Sequence, residues 1–216
     1  MITSSGRSGS TMLSQHIMYY SAGDIILKSH ISTIPPEFKG KIVFIFSNPD
    51  RAAESILHIT LNNEEFGKQH FFNMEGADHN WLTMLGSTAN QTLYNNLLSY
   101  DALGCFLQLY HWLYMNQPCE HSQANVLAIK YENLWDKETV DNIKSFLNLP
   151  YFALPEKVER GYKEEAISDE EMLFRKTYNN GTTKDLRYEA YDNAREIWAN
   201  APPFQYLSTE SQRRAQ

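Results

Sequence analysis

Residues 1–13 read MITSSGRSGSTML, in which a very short apolar start is followed by two glycines, an arginine and several hydroxyl side chains. Glycine allows the backbone to come close to a bulky ligand, and successive N–H groups at the start of a helix attract anions. Apolar residues recur at helical spacing in TMLSQHIMYY, so the segment predicts the order strand, loop, helix. It therefore indicates an anion-binding loop, with a flexible Ser/Gly-rich terminus as the alternative.

The spacing of the two glycines excludes one common class of loop. Only two residues separate Gly6 from Gly9, and no lysine follows the second glycine. The usual loop of nucleoside triphosphatases has four residues between its glycines and continues with Lys and then Ser or Thr. That fingerprint is absent from this chain.

Length, charge and cysteine content limit the class of protein. The chain has 216 residues, of which 42% are hydrophobic, so it can bury the core of one domain. A net charge of −7 argues against nucleic acid or an acidic membrane as a general partner. Cys105 and Cys119 lack metal-ligand spacing and favour a reducing compartment. No apolar run approaches the roughly 18 residues of a membrane span, so we expect a cytoplasmic protein without one.

Strands and helices are predicted to alternate along the chain. Apolar and β-branched runs predict strands at 2–4, 23–30, 41–46 and from 125. Helical periodicity predicts helices at 11–20, 50–63, 94–116, 136–149, 168–175 and 186–199. Residues 64–89 show no clear period and are expected to form loops or short helices. The alternation predicts a single α/β domain with a parallel sheet, followed by a polar tail at 208–216.

Four segments match one family in composition and in order. They are RSGST at 7–11, KSH at 28–30, KIVFIFSNPDRAAES at 41–55 and VLAIKYENLWDKETVDNIKSFLNLP at 126–150. Together they resemble the sulfotransferases that use 3'-phosphoadenosine 5'-phosphosulfate. The resemblance implies one sulfotransferase-like domain over residues 1–207 with a three-layer P-loop-type fold. In that fold, helices flank a central parallel sheet and the donor binds at the carboxyl ends of the strands.

The first two segments carry the expected transfer chemistry. By resemblance, the 5'-phosphosulfate loop consists of Arg7, Ser8, Gly9, Ser10 and Thr11. Arg7 and Lys28 would stabilise the charge that builds on the bridging oxygen as the sulfur–oxygen bond breaks. His30 occupies the position of the family's general base, and an imidazole suits the removal of a proton from a hydroxyl acceptor. A lone histidine at a strand end could equally be structural.

The third segment and a weaker fifth match concern the 3'-phosphate. Ser55 fits the family's serine, but Ser47 stands where an arginine is expected, which would remove a bidentate contact to phosphate. Arg51 is a candidate replacement. FRKTYNNG at 174–181 resembles the C-terminal Arg-Lys-Gly loop, so Arg175 and Lys176 are further candidates, although paired cations are also common on solvated helix ends.

The fourth segment is interpreted as architectural. Asn133 and Asn148 replace the family's usual Asp and Gly. Tyr131 and Leu134 are expected to pack, and Glu132 to cap a helix or to pair with another group. This segment therefore supports the fold rather than the mechanism.

The sequence favours sulfonyl transfer from 3'-phosphoadenosine 5'-phosphosulfate to a hydroxyl or amine of a small-molecule acceptor, by in-line attack with His30 as base. The scheme requires no metal ion, and a homodimer is left open. Two alternatives remain: a nucleotide kinase or phosphohydrolase that uses the same loop, and a nucleotide-binding protein of the same fold that has lost catalysis. The acceptor is not identified, because the interval from Gly9 to Lys28 is shorter than in typical cytosolic members.

Overall fold

The computed structural model describes residues 1–6, 8–21, 26–62, 100–115, 124–157 and 187–207, together with residues 65, 69 and 73. In this part of the chain the strands are β1 (Ile2–Ser4), β2 (Lys28–Ser29), β3 (Lys41–Phe46), β4 (Asn125–Lys130) and β5 (Phe204–Leu207). The helices are α1 (Ser10–Tyr20), α2 (Pro49–Asn62), α3 (Cys105–Tyr110), α4 (Lys137–Leu147) and α5 (Asp192–Asn200). A π-helical turn (His111–Met115) follows α3, and 3₁₀ turns lie at Tyr131–Asn133 and Glu189–Tyr191.

The strands form one mixed sheet in the order β2-β1-β3-β4-β5. The pairs β1–β2, β1–β3 and β3–β4 are parallel, as the alternation of strands and helices predicts. The fifth strand runs antiparallel to β4, with Val126 opposite Leu207. The sequence analysis did not predict this strand, because FQYL is only four residues long and only partly buried. An α/β fold is therefore correct, and the sheet is mixed rather than wholly parallel.

Helices lie against both faces of the sheet, and β3 shows why its sequence is continuously apolar. Val43 and Ile45 point toward a cluster that includes Leu13 of α1 and Ile143 of α4. The alternate residues of β3 point toward a second cluster, which contains Trp112 and residues of α2, α3 and α5. Because both faces of the strand are covered, successive residues must all be apolar. The strand β3 therefore contributes residues to both hydrophobic clusters of the domain.

Three elements differ from their predicted bounds, and one of them, the helix expected over 186–199, begins at Asp192 after the 3₁₀ turn at Glu189–Tyr191. In the described part of the helix expected over 94–116, residues 100–104 are not helical, and α3 begins at Cys105 after Gly104, which has a φ of 65°. The carboxylate of Asp101 accepts hydrogen bonds from the backbone N–H groups of Cys105 (2.9 Å) and Phe106 (2.7 Å), which fixes this start. The strand expected over 23–30 is limited to Lys28–Ser29 among the described residues.

Several predictions fall outside the described residues. These are most of the segment 64–89, the helix at 168–175 and the polar tail at 208–216. Among the residues that are described, no helix is long and apolar enough to cross a membrane. The cytoplasmic location stays a prediction.

Candidate active site at the carboxyl ends of the parallel strands

The candidate residues lie where the four parallel strands end. Because parallel strands share one carboxyl edge, the loop after β1, His30 after β2, Ser47 after β3 and Tyr131 after β4 lie at the same edge. The order β2-β1-β3 places the loop after β1 between the ends of its two neighbours. Segments that are far apart in the sequence therefore meet at this edge.

The loop after β1 needs both of its glycines. Gly6 and Gly9 have φ angles of 81° and 76°, in the left-handed region that other residues rarely adopt. A Cβ on Gly9 would lie 2.5 Å from Cε2 of Tyr131. The ring of Tyr131 therefore covers the loop. This contact brings the end of β4 against the segment that follows β1.

The start of α1 is suited to an anion. No side chain caps this end of the helix, and its first turn contains no acidic residue. The first N–H groups of any helix have no acceptor within the helix, and they carry a partial positive charge. Thr11 is exposed at this end, whereas Ser10 is buried. Negative charge is therefore favoured beside residues 10–12.

The side chain of Ser8 ties the loop after β1 to the sheet. Its side chain is fully buried, and its hydroxyl donates a hydrogen bond of 2.9 Å to the carbonyl oxygen of Ile45. The hydroxyl hydrogen therefore ties the loop to β3. An anion in this loop can meet Ser8 through its backbone N–H.

His30 belongs to a buried polar cluster. Its side chain is 8% exposed, and its Nδ1 lies 2.9 Å from Oγ of Ser4 and 3.2 Å from the Ser4 carbonyl oxygen. The Ser4 hydroxyl donates a hydrogen bond of 3.1 Å to Oγ of Ser10. We call Ser4, Ser10 and His30 the serine–histidine cluster. It joins the ends of β1 and β2 to the first residue of α1.

The backbone at His30 and Ile31 accepts hydrogen bonds from side chains of α3 and of the π-helical turn that follows it. Gln108 Nε2 donates a hydrogen bond of 2.9 Å to the carbonyl oxygen of His30. The next carbonyl, that of Ile31, accepts hydrogen bonds from the indole N–H of Trp112 (2.8 Å) and the hydroxyl of Thr3 (3.3 Å). These bonds fix the imidazole even though β2 is only two residues long.

The surroundings of His30 lower its pKa below the ordinary value of 6.5. Burial is the main cause because it disfavours the charged imidazolium. The hydrogen bond to the Ser4 carbonyl opposes this effect, and the ammonium group of Lys28 adds to it. Lys28 itself is exposed and lies two residues before His30. At neutral pH the imidazole is neutral and can accept a proton.

The residues expected at the 3'-phosphate lie after β3 and on α2. The Ser47 hydroxyl is buried and has no hydrogen-bond partner among the described residues. Arg51 is exposed, and half-buried Ser55 lies one helical turn beyond it. The Oδ1 of Asn48 already accepts hydrogen bonds from the N–H groups of Asp50 (2.9 Å) and Arg51 (3.2 Å). The start of α2 is therefore capped, unlike the start of α1.

Glu132 connects the ends of β3 and β4. Its Oε1 accepts a hydrogen bond of 2.9 Å from the backbone N–H of Asn48, and its Oε2 accepts one of 3.2 Å from the indole of Trp198. Leu134 is fully buried, and the ring of Tyr131 packs edge-on against Trp135. The prediction that Glu132 pairs while its neighbours pack is confirmed.

The structure thus brings several predicted site residues to neighbouring strand ends: Ser8, Gly9, Ser10, Thr11, Lys28, His30 and Ser47. Arg7, Arg175 and Lys176 lie outside the described residues. Sequence reasoning missed Ser4 and Gln108. For Gln108 a signal was present, because it is the one amide side chain in the apolar run CFLQLYHWL. Ser4 gave no such signal, since it stands among other serines.

No protein-family model, curated protein or solved structure matches this chain. The class of protein that the fold defines is an α/β domain with a mixed five-stranded sheet and flanking helices.

Proposed function

We propose that this chain is a sulfotransferase with a three-layer P-loop-type fold. It would transfer a sulfonyl group from 3'-phosphoadenosine 5'-phosphosulfate to a hydroxyl or amine of a small-molecule acceptor. One observation carries the proposal: the uncapped start of α1 is joined to a buried, neutral histidine through Ser10 and Ser4. An anion site and a base are therefore in direct connection, as transfer from an anionic donor requires.

The chemistry divides among residues of this chain. The co-substrate supplies the sulfonyl group and leaves as adenosine 3',5'-bisphosphate. His30 takes the proton of the acceptor hydroxyl as the acceptor oxygen bonds to sulfur and the bond from sulfur to the bridging oxygen breaks. The N–H groups at the start of α1 and the cations Arg7 and Lys28 stabilise the charge that develops on the bridging oxygen. Burial keeps the pKa of His30 low enough for it to be the acceptor of that proton at neutral pH.

The 3'-phosphate would be held by a different set of groups from the family's usual arginine. Arg51 is exposed on the first turn of α2, with Ser55 one turn further along the same face. Because Asn48 already occupies two N–H groups of that helix start, side chains rather than backbone would supply the contacts. Arg175 and Lys176 are the remaining candidates from the sequence.

The proposal is tested first by calorimetric titration with adenosine 3',5'-bisphosphate, and in parallel with ATP and magnesium. We expect selective binding of the bisphosphate, weakened about 10- to 100-fold in Arg7→Ala because a charge-assisted contact is lost. Lys144→Ala is the matched control, since this cation lies in the last turn of α4, away from the carboxyl edge. Preference for ATP would overturn the proposal in favour of a kinase or phosphohydrolase.

A transfer assay then separates an enzyme from a binding protein. Phenols, alcohols and amines are incubated with the sulfonyl donor, and sulfonated products are detected by mass spectrometry. His30→Asn should bind the bisphosphate and lower kcat by about 10²- to 10⁴-fold, the usual contribution of a general base. Bisphosphate binding without transfer to any class of acceptor would favour a protein that kept the nucleotide site and lost catalysis.

A further inference from the structure

The heavy-atom geometry of the serine–histidine cluster favours one direction for its hydrogen bonds. A carbonyl oxygen can only accept, and the Ser4 carbonyl lies 3.2 Å from Nδ1 of His30. If Nδ1 carried a lone pair, two acceptors would face each other in a buried site, which costs the desolvation of both. The Nδ1–H tautomer avoids this contact, and in it the lone pair of the neutral imidazole lies on Nε2.

The same constraint continues through the two serines. The Nδ1–H group is shared with Oγ of Ser4 at 2.9 Å, so that oxygen is an acceptor. Its own hydrogen then points to Oγ of Ser10, 3.1 Å away. Ser4 is fully buried, so water does not compete for these bonds. The hydrogens run in one direction, from His30 to Ser4 to Ser10.

We propose that Ser4 is a positioning residue that fixes His30 in the Nδ1–H tautomer and links this tautomer to the anion site at the start of α1. Ser10 already accepts from Ser4, so its hydroxyl hydrogen is available to an oxyanion beside the first turn of α1. The ligand class is a phosphate or sulfate ester. Its catalytic meaning rests on the proposed function, because only there does Nε2 serve as the base.

The link has a physical consequence for the base. Hydrogen bonds in a chain polarise one another, and a buried site strengthens the effect. When the Ser10 hydroxyl donates to an oxyanion, the Ser4 hydroxyl becomes a better donor to Ser10 and its oxygen a better acceptor for Nδ1–H. More electron density then reaches the ring, and Nε2 becomes more basic once the donor loop is filled.

The tautomer is measured directly by long-range ¹H–¹⁵N correlation spectra of the histidine rings in the free protein at about pH 8, where a ring with an ordinary pKa is neutral. His30→Asn assigns the signals of His30. We expect the pattern of an Nδ1–H ring with an unprotonated Nε2. An Nε2–H pattern would overturn the inference. Because no ligand is present, this result does not depend on whether the bisphosphate binds.

Coupling to the anion site is measured by adding adenosine 3',5'-bisphosphate, and separately inorganic sulfate, to the same samples. The ring nitrogens of His30 should shift in the wild type and in Ser4→Thr, which keeps the hydroxyl. They should not shift in Ser4→Ala or Ser10→Ala. Ser14→Ala is the control, because Ser14 lies one turn beyond Ser10 in α1 and its hydroxyl donates to the Thr11 carbonyl, its one partner among the described residues. Shifts of equal size in Ser4→Ala would overturn the link.

Kinetics distinguish positioning from a purely structural role. Ser4→Ala should lower kcat by about tenfold with little change in KM for the donor, and Ser4→Thr should restore kcat. An unchanged kcat would contradict a positioning role in transfer. If the protein binds the bisphosphate but His30 carries its hydrogen on Nε2, this inference alone is contradicted. If His30 carries its hydrogen on Nδ1 but the protein binds no bisphosphate, only the proposed function is contradicted.

Discussion

Gly9 shows how a single residue can fix the shape of the anion loop. Its φ of 76° lies in the left-handed region, and the ring of Tyr131 leaves no room for a side chain there. These two constraints are independent, because one acts through the local backbone and the other through a strand end more than a hundred residues later. The backbone at Gly9 is therefore held in one conformation, and such preorganisation would reduce the ordering cost of any binding there.

Replacing Gly9 with alanine should lower the free energy of unfolding by about 2–4 kcal/mol, from a strained backbone and an overpacked contact. Urea unfolding measures the effect. Gly40→Ala is the matched control: its Cβ would touch only the flexible ring of Phe38, at 3.0 Å, and the cost should be smaller. Adding Tyr131→Ala to Gly9→Ala should relieve the steric part alone. Equal costs for the two glycines would contradict this account.

Residue identity in the site could be predicted where the chemistry has a local signature. His30 and residues 8–11 were predicted from short motifs, and the pairing of Glu132 was expected. Ser4 could not be predicted, because its role depends on the contact between β1 and the residue after β2. That contact joins positions 26 residues apart, and a run of serines in the sequence does not show which hydroxyl is turned inward.

At the scale of elements, α2 and α5 are joined by a buried ion pair. Asp50 is 1% exposed, and its two oxygens accept hydrogen bonds from Nε and Nη2 of Arg195, both at 2.7 Å. Its Oδ1 also accepts from the backbone N–H of Tyr188 at 2.7 Å. The hydroxyl of Tyr188 bonds to Glu54, one turn further along α2. The beginning of α2, which follows Ser47, is thus set by residues near the C-terminus.

Asp50→Asn should lower the free energy of unfolding by about 3–5 kcal/mol, because the largely buried guanidinium of Arg195 would lose its bidentate partner. Asp192→Asn is the control, since this half-exposed carboxylate contacts the same arginine and should cost less than about 1 kcal/mol. Urea unfolding of both variants gives the comparison. Similar losses of unfolding free energy for the two variants would show that the burial of Asp50 does not increase the cost of removing its charge.

The bounds of an element agree with the sequence prediction where one local sequence pattern dominates. The strand KIVFIF has the predicted bounds, because an apolar β-branched run buried on both faces has few alternatives. Among the described residues, the helix before His111 begins at Cys105, whereas periodicity also predicts helix over 100–104. There the left-handed φ of Gly104 and the capping carboxylate of Asp101 outweigh the apolar pattern. A capping hydrogen bond and a positive φ each act at a single residue. A hydrophobic period averaged over many residues does not show them.

At the scale of the whole molecule, strand order decides which loops meet. The alternation of strands and helices predicted parallel pairing, and four of the five strands obey it. The order β2-β1-β3-β4-β5 was not predictable in the same way, because it depends on contacts between strands distant in sequence. This order places the loop after β1 between His30 and Ser47. His30 follows the edge strand β2 and is nevertheless buried, so global unfolding changes its environment.

The lowered pKa of His30 makes stability depend on pH in a defined direction. Folding disfavours its charged form, so the stabilisation is complete above the ordinary value of 6.5 and is lost as the pH falls toward the lower pKa of the folded state. His30→Asn removes the titration and keeps an N–H donor near the position of Nδ1, close to the Ser4 carbonyl. The stability advantage of the wild type over this variant should therefore shrink below pH 6.5.

The measurement is the free energy of unfolding in urea for both proteins between about pH 8 and about pH 5, a range in which an ordinary histidine loses or gains its proton. Other titrating groups are common to both proteins and cancel in the difference. The slope of that difference cannot exceed about 1.4 kcal/mol per pH unit for one proton. A difference that stays constant would mean that burial does not shift the pKa of His30. A difference that grows as the pH falls would mean that the folded protein stabilises the imidazolium, and a histidine in that state could not act as the base.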